Sequence, residues 1–478
     1  MFEVQIRPVP LDRLATLLTP QRAERLRTTA ARAREMFGDR VVWHVSATAH
    51  GGGVAEMLQT LLAYGNGAEI ENRWLVLDGD PEFFLTTKRV HNMLHGASGD
   101  GGTLGELERA HYLRVLDANL PYLLSRATRG DIVLLRDPQT LGLAKALREA
   151  GLHVAWRCHV GRDATNELTD IAWGFLRPFL EHVEALVFSR RAYAPAWVDP
   201  SRLVVIAPSI DPFSTKNLLL SDDQVVDILS TVGLVGGRTP TGLVTFDRRD
   251  GTRGTVRHRA APDGLVLDGA APPHDARLVV QVSRWDRLKD MPGVMSGFAL
   301  LAECSLDGTH LVLAGPAVSG VSDDPEGAAV LEACRRQWRA LPTPVRSRVH
   351  LVSIPMDDVD ENAMVVNALQ RHARVVVQKS LVEGFGLTVT EAMWKARPVV
   401  ASRVGGIQDQ ITDGQDGLLV NDPTDPGALA AALRRVLTDD RLADRLGEAA
   451  RARVRAEYLG DRHLTQYADL FARIVASD

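Results

Sequence analysis

The chain has 478 residues, 45% of them hydrophobic, with a formal net charge of −5 and a pI near 6.3. That length accommodates two or three domains with ordinary packed cores, and the mild acidity gives no electrostatic case for nucleic acid or an anionic membrane, so a small ligand is the expected partner. The opening MFEVQIRPVPLDRL is charged throughout, and no later window offers eighteen uncharged apolar residues; neither a signal peptide nor a membrane span is expected, and a cytoplasmic location follows.

In chain order, the first informative stretch is VVWHVSATAHGGGVAEMLQTLL, residues 41–62. Gly51, Gly52 and Gly53 stand between an expected strand at 41–46 and an expected helix at 54–62. They serve either a tight turn or the close approach of a ligand to a helix start, whose free N–H groups attract anions. Further short apolar runs predict strands at 73–77, 131–135, 153–157, 185–188 and 203–206, and a second set at 278–282, 310–314, 349–352, 375–378, 398–401 and 417–420. Amphipathic helical patterns separate them. This alternation predicts an α/β protein of two Rossmann-like, doubly wound domains facing across a cleft, with ligands at the carboxyl ends of the strands.

The join is expected near APSIDPFSTKN, residues 207–217, where prolines and polar residues interrupt the alternation. The expected domains are 1–212, 213–455, and a last helix in 456–478 that packs back on the first domain. Residues 233–275 break the pattern, and Asp250-Gly251 between strand-like LVTF and TVRH predicts an inserted β-hairpin, arginine-rich and exposed. A solvated decoration is preferred there to a lid or a subunit contact. Cys158, Cys304 and Cys334 lie far apart with no metal-ligand spacing, so buried reduced thiols are expected.

Two constellations carry chemistry. In QVSRWDRLKD, residues 281–290, Arg284 and Lys289 follow a strand and suit a diphosphate, the guanidinium bidentate and the ammonium a movable point charge; pairing with Asp286 or Asp290 is the plainer alternative. In KSLVEGFGLTVTEAMWKARPVVASRVGGIQDQI, residues 379–411, Glu383 and Glu391 stand eight positions apart across a helix start. Ionised carboxylates accept hydroxyl protons, which suits a sugar and a ribose, while Gly384 and Gly386 leave main-chain N–H groups for a phosphate.

These motifs, with DGQDGLLV at 413–420, resemble the retaining nucleotide-sugar glycosyltransferases of the two-Rossmann GT-B type, the family that includes sucrose synthase and bacterial mannosyltransferases. Within it, GGGVAEML, EFFLTTKRVHNMLHG, DPQ, WRCHV, APSIDPFSTKN and DDPEG resemble the trehalose glycosyltransferring synthases. The resemblance spans most of the chain outside the first thirty-five residues or so and the 233–275 insertion, which departs from the family's expected short linker.

The resemblance implies glucose transfer from a nucleoside diphosphate glucose to free glucose, with retention at the anomeric carbon and no protein nucleophile. It implies that Glu383 holds donor glucose hydroxyls, Glu391 the ribose, and Arg284 with Lys289 the diphosphate. Gly384, Phe385, Gly386, Leu387 and Thr388 would line the same donor site, and Gly52 and Gly53 would approach the donor phosphates. His159, after the strand at 153–157, matches the family's cleft histidine, with Asp163 a weaker candidate. Glu82, Lys88, His91, Asn92, Asp137 and Gln139 would hold the acceptor. No cofactor or tightly bound metal is expected, and a homodimer is left open, as is the choice among UDP, ADP and GDP. A transfer to another sugar-like acceptor is the nearest rival. A nicotinamide oxidoreductase is disfavoured, because no G-x-G-x-x-G follows the strand at 41–46.

Overall fold

The structure, a computed structural model, describes residues 1–49, 52–259, 264–302, 308–318 and 326–476. It divides into two compact units, Met1–Ser209 together with Tyr458–Asp478, and Ile210–Glu457.

The first unit is built on seven strands: β1 (Phe2–Val4), β2 (Val42–Ser46), β3 (Asn72–Val76), β4 (Ile132–Arg136), β5 (His153–Cys158), β6 (Ala185–Phe188) and β7 (Leu203–Val205). Their spatial order is β1-β3-β2-β4-β5-β6-β7, parallel except for β1, which pairs antiparallel with β3. Every residue of β2, β4, β5 and β6 is buried, because helices cover both faces; strands in that position read as unbroken apolar runs. One face packs Trp43, Val133, Leu135 and Trp156. The other packs Val42, Ile132, Leu134 and Val187 against Phe37 of the helix Pro20–Phe37 and Tyr467, Phe471 and Ile474 of the helix Gly460–Val475. Thr19 caps the earlier helix, with Pro20 at its first position. Arg22 grips Asp461 through Nε and Nη2 at 2.9 and 2.7 Å, tying the two helices together.

The second unit carries a separate hairpin of β8 (Thr245–Asp247) and β9 (Arg253–Thr255), then a seven-stranded sheet. Its strands are β10 (Val266–Asp268), β11 (Arg277–Val282), β12 (Thr309–Pro316), β13 (Val349–Ile354), β14 (Val375–Gln378), β15 (Val399–Ser402) and β16 (Leu418–Val420), in the order β10-β13-β12-β11-β14-β15-β16. All pairs are parallel except β10 with β13. Leaving aside the antiparallel edge, this is the Rossmann order, with its reversal between β11 and β14. In the first unit the reversal falls between β2 and β4.

Each expected strand is present, its ends moved by at most two residues. β1 and β10 were not expected: three-residue edge strands have too few positions to show a period. The hairpin is present, but its expected solvation is corrected. Arg248 pairs with Asp358 (2.7 Å), Arg249 with Asp360 (2.8 Å), and Arg257 with both Glu361 and Asp357 (2.6 Å each). Asp358 caps the helix Val359–His372 and Asp360 and Glu361 lie in its first turn, so the arginines fasten to an acidic helix start while Phe246 and Val256 are buried beneath. Cys158 and Cys334 are buried free thiols; Cys304 lies outside the described residues. Among the described residues no helix is long and apolar enough to cross a membrane.

Candidate active site

Each unit gathers its candidate residues where the strand order reverses, the place at which an open parallel sheet leaves a crevice. In the second unit the loops after β11 and β14 are stitched together there. The Gln281 side chain donates to the Lys289 carbonyl (2.8 Å) and accepts from the Lys379 N–H (3.0 Å), and Leu381 N–H donates to the Leu288 carbonyl (2.7 Å). Asp286 caps the short turn Arg287–Lys289 by accepting from Leu288 N–H (2.8 Å), and Asp290 takes a left-handed backbone, φ 48°. The consequence is that Lys289 Nζ lies 2.6 Å from Glu383 Oε2, which also accepts from Ser380 Oγ at 3.0 Å. Lys379 is buried in a second ion pair, with Asp290. The Arg284 side chain is 44% exposed, its Nη2 3.5 Å from Asp286 Oδ2.

After Glu383 the backbone turns through Gly386, φ 84°, which precedes the helix Leu387–Trp394. A side chain at Gly386 would be strained and would press on Ile407 and Glu383. The loop is held from outside: Gln410 Nε2 donates to the Phe385 carbonyl (2.5 Å), and Thr388 Oγ1 to Gln378 Oε1 (2.9 Å). Glu391, one turn into the helix, is 4% exposed. Two lysines that the sequence reading missed surround it. Lys216 Nζ lies 3.7 Å from Glu391 Oε1, and Lys395, itself buried, donates to the Glu391 carbonyl (3.2 Å), Gln370 Oε1 (2.7 Å) and Asn217 Oδ1 (3.1 Å). Burial pushes the Lys395 ammonium down to about 7, against the pull of Glu391.

In the first unit Asp137 follows β4 in a left-handed conformation, φ 59°, and begins the short helix Asp137–Thr140. Its carboxylate accepts from the His159 N–H (2.7 Å) and lies 3.0 Å from His159 Nδ1. The carboxylate can only accept, so the ring proton sits on Nδ1, and the buried Nε2 keeps a lone pair with no partner among the described residues. Burial pushes the imidazole down to about 4, opposed by Asp137 and assisted by Arg157. For Asp137 burial acts upward, but His159 and His91 outweigh it and hold the carboxyl below its usual range. Arg136 and Arg157 are register partners on β4 and β5, both buried. Arg157 donates to the Ile206 carbonyl (2.6 Å) and Ser189 Oγ (3.0 Å). At neutral pH the pair is therefore a carboxylate orienting a neutral imidazole.

Not every candidate joins this group. Lys88, His91 and Asn92 share one face of the helix Pro81–Leu94 by their spacing, and that helix packs on Asp137–Thr140. Gln139 belongs to the same short helix, its Oε1 buried without a partner among the described residues. Glu82 sits in the first turn, nine residues before His91 and so about 13 Å away along the axis, with its side chain 73% exposed beside His111. It is not brought to the Asp137 group. Asp163 pairs with Arg190 at 3.0 Å. Gly52 opens the helix Gly52–Gly67 and Gly53 follows it, while Gly51 lies outside the described residues, as do Asp323 and Asp324 of the DDPEG motif.

A family model described as "Trehalose synthase, N-terminal domain" matches residues 44–195, and one described as "Glycosyl transferases group 1" matches 358–453. The chain is 35% identical to a trehalose synthase of Rubrobacter xylanophilus, over 93% of this chain and 92% of that protein. It is 32% identical to a trehalose synthase of Pyrococcus horikoshii, over 89% and 88%. Among solved structures, a UDP-forming alpha,alpha-trehalose-phosphate synthase from Burkholderia vietnamiensis superposes with a TM-score of 0.65 at 16% identity, over 92% of this chain and 99% of that one. The fold is thereby that of GT-B glycosyltransferases.

Proposed function

This chain belongs to the trehalose synthase family of glycosyltransferases, and from that premise we propose that it transfers glucose from a nucleoside diphosphate glucose to free glucose, with retention at the anomeric carbon, forming trehalose. The observation that carries the proposal is the array at the second unit's strand reversal, where Lys289 and Glu383 form one close pair within loops that also bear Arg284 and lead to Glu391. A diphosphate leaving group needs cationic charge where its own charge develops, and Arg284 with Lys289 supplies it. A hexose and a ribose need ionised carboxylates to accept their hydroxyls, and Glu383 and Glu391 supply those. The first unit carries chemistry suited to a sugar: His159, oriented by Asp137, has Nε2 as an acceptor, and Lys88, His91, Asn92 and Gln139 supply further polar groups for the acceptor glucose.

In this reading the acceptor hydroxyl attacks C1 from the face that the diphosphate leaves. The C1–O bond to phosphate breaks as the new glycosidic bond forms, and a departing phosphate oxygen takes the acceptor's proton. Two carboxylates flanking the scissile bond, the glycosidase arrangement, are not required, and no metal enters the scheme. Turnover is expected to survive dialysis against EDTA, and a rate lost on dialysis and restored by a divalent cation would remove that part of the proposal. A rearrangement of maltose into trehalose would need no diphosphate site. The deciding assay therefore incubates the protein with UDP-, ADP- or GDP-glucose plus glucose, and in parallel with maltose alone. A trehalase-sensitive product from one nucleotide sugar supports the proposal and names its base, whereas trehalose from maltose alone overturns it.

A further inference from the structure

Residues 207–217 read as a join between domains, yet the second unit fastens residues 211–218 as tightly as a core element. Asn217 Nδ2 donates to the Asp211 carbonyl (3.0 Å) and Ser214 Oγ to the same oxygen (2.9 Å), closing a compact turn. Two helices then hold it. Asn367 Nδ2 donates to the carbonyls of Thr215 (3.0 Å) and Leu218 (2.9 Å), Arg371 Nη2 to those of Asn217 (3.1 Å) and Leu218 (2.9 Å), and Trp394 Nε1 to Asn217 (3.2 Å). Lys395 completes the fastening through Asn217 Oδ1. Thr215, Asn217, Asn367 and Lys395 are all buried. Burying a lysine is costly even when its hydrogen bonds are made, which asks what the arrangement achieves.

The residue between the two fastened positions is Lys216. Its side chain remains 19% exposed, and its ammonium stands 3.7 Å from a Glu391 carboxylate that is otherwise 6% exposed. A carboxylate offers about four lone-pair sites, and a ribose presents two hydroxyls to such an acceptor.

We propose that Lys216 is a positioning residue of the donor site, holding the Glu391 carboxylate oriented for the hydroxyls of the nucleotide's ribose, and that the 210–218 turn exists to deliver it. The proposal rests on the donor assignment of Glu391 made above. Lys395 anchors the turn through Asn217, and Lys216 reaches the Glu391 carboxylate.

The test measures binding of the ribo-, 2′-deoxy- and 3′-deoxy-forms of the preferred nucleoside diphosphate to the full-length protein by calorimetry, alongside steady-state kinetics. Wild type is expected to discriminate against a deoxy-nucleotide. Lys216→Met is expected to weaken ribonucleotide binding about tenfold, the order of one charge-assisted contact, to bind ribo- and deoxy-forms alike, and to raise the donor KM rather than lower kcat at saturating donor. Lys216→Arg is expected to restore most of the discrimination, which no loss of folding would do. Unchanged discrimination in Lys216→Met, with Glu391→Gln abolishing it, overturns this inference and leaves the donor site standing. Unchanged discrimination in Glu391→Gln removes the donor assignment itself, and this inference with it.

Discussion

At the scale of single residues, the His159 and Asp137 pair makes its own statement about pH. The folded imidazole titrates near 4 and the unfolded one near 6.5. Between those values the unfolded chain binds the extra proton, so stability is full above about 6.5 and is lost as pH falls toward 4. The shift is worth about 3 kcal/mol for this one group. Urea midpoints that decline from pH 6.5 to 4, with a shallower decline in His159→Asn, are the expected result; identical pH profiles would show that the imidazole is not held neutral by burial. Lys289 and Glu383 allow a kinetic counterpart. Lys289→Met and Glu383→Gln are each expected to lower kcat/KM by about a hundredfold, and the double variant by much less than the product, because each single change leaves the other partner's charge buried. These four residues stood out in the sequence, since each lies in a motif that comes after a strand. Their pairings did not, because a left-handed Asp137 and the stitching through Gln281 create them. Lys216 and Lys395 escaped notice for a related reason: one sits in a segment that reads as a linker and the other stands four residues after Glu391 in a stretch weighed for its glutamates and glycines, so only the folded turn reveals a common target.

At the scale of elements, the sequence reading located the hairpin but misjudged its surroundings. Arginine-rich strands look like a solvated edge until the acidic start of the helix Val359–His372 is placed beside them, and that helix lies about a hundred residues further on. Arg257, which binds both Glu361 and Asp357, is the most instructive position. Arg257→Ala is expected to cost about 1–3 kcal/mol, chiefly by stranding the buried Glu361 carboxylate, and Glu361→Gln in the same chain should recover part of the loss in urea titrations. Gly406 plays a quieter part. A Cβ there would stand 2.8 Å from Phe385 Cα and 2.9 Å from the Gly384 carbonyl, so Gly406→Ala displaces the backbone of the Glu383–Gly386 loop. Its expected signature is a raised donor KM at nearly normal thermal stability, and an unchanged KM would show that the loop's position is immaterial.

At the scale of the whole molecule, the alternation of apolar runs and helical patterns was enough to give two doubly wound sheets, because strands covered on both faces cannot disguise their composition. The edges β1 and β10 needed the structure. Since each unit has its own core, calorimetry is expected to resolve two transitions, and saturating nucleoside diphosphate should raise only that of the unit bearing Glu383 and Glu391; an equal shift in both would contradict the placement of the nucleotide site in one unit. The helix Gly460–Val475 adds a consequence for the order of events on the ribosome. Tyr467, Phe471 and Ile474 finish a core whose other members, Phe37, Val42 and Leu134, are synthesised more than 300 residues earlier. At about 5–20 residues per second, the early half of the protein waits tens of seconds, with one sheet face covered only in part by the helix Pro20–Phe37, while the later half emerges and folds. The part made first is thus the part completed last, and during translation it is the natural client for a chaperone.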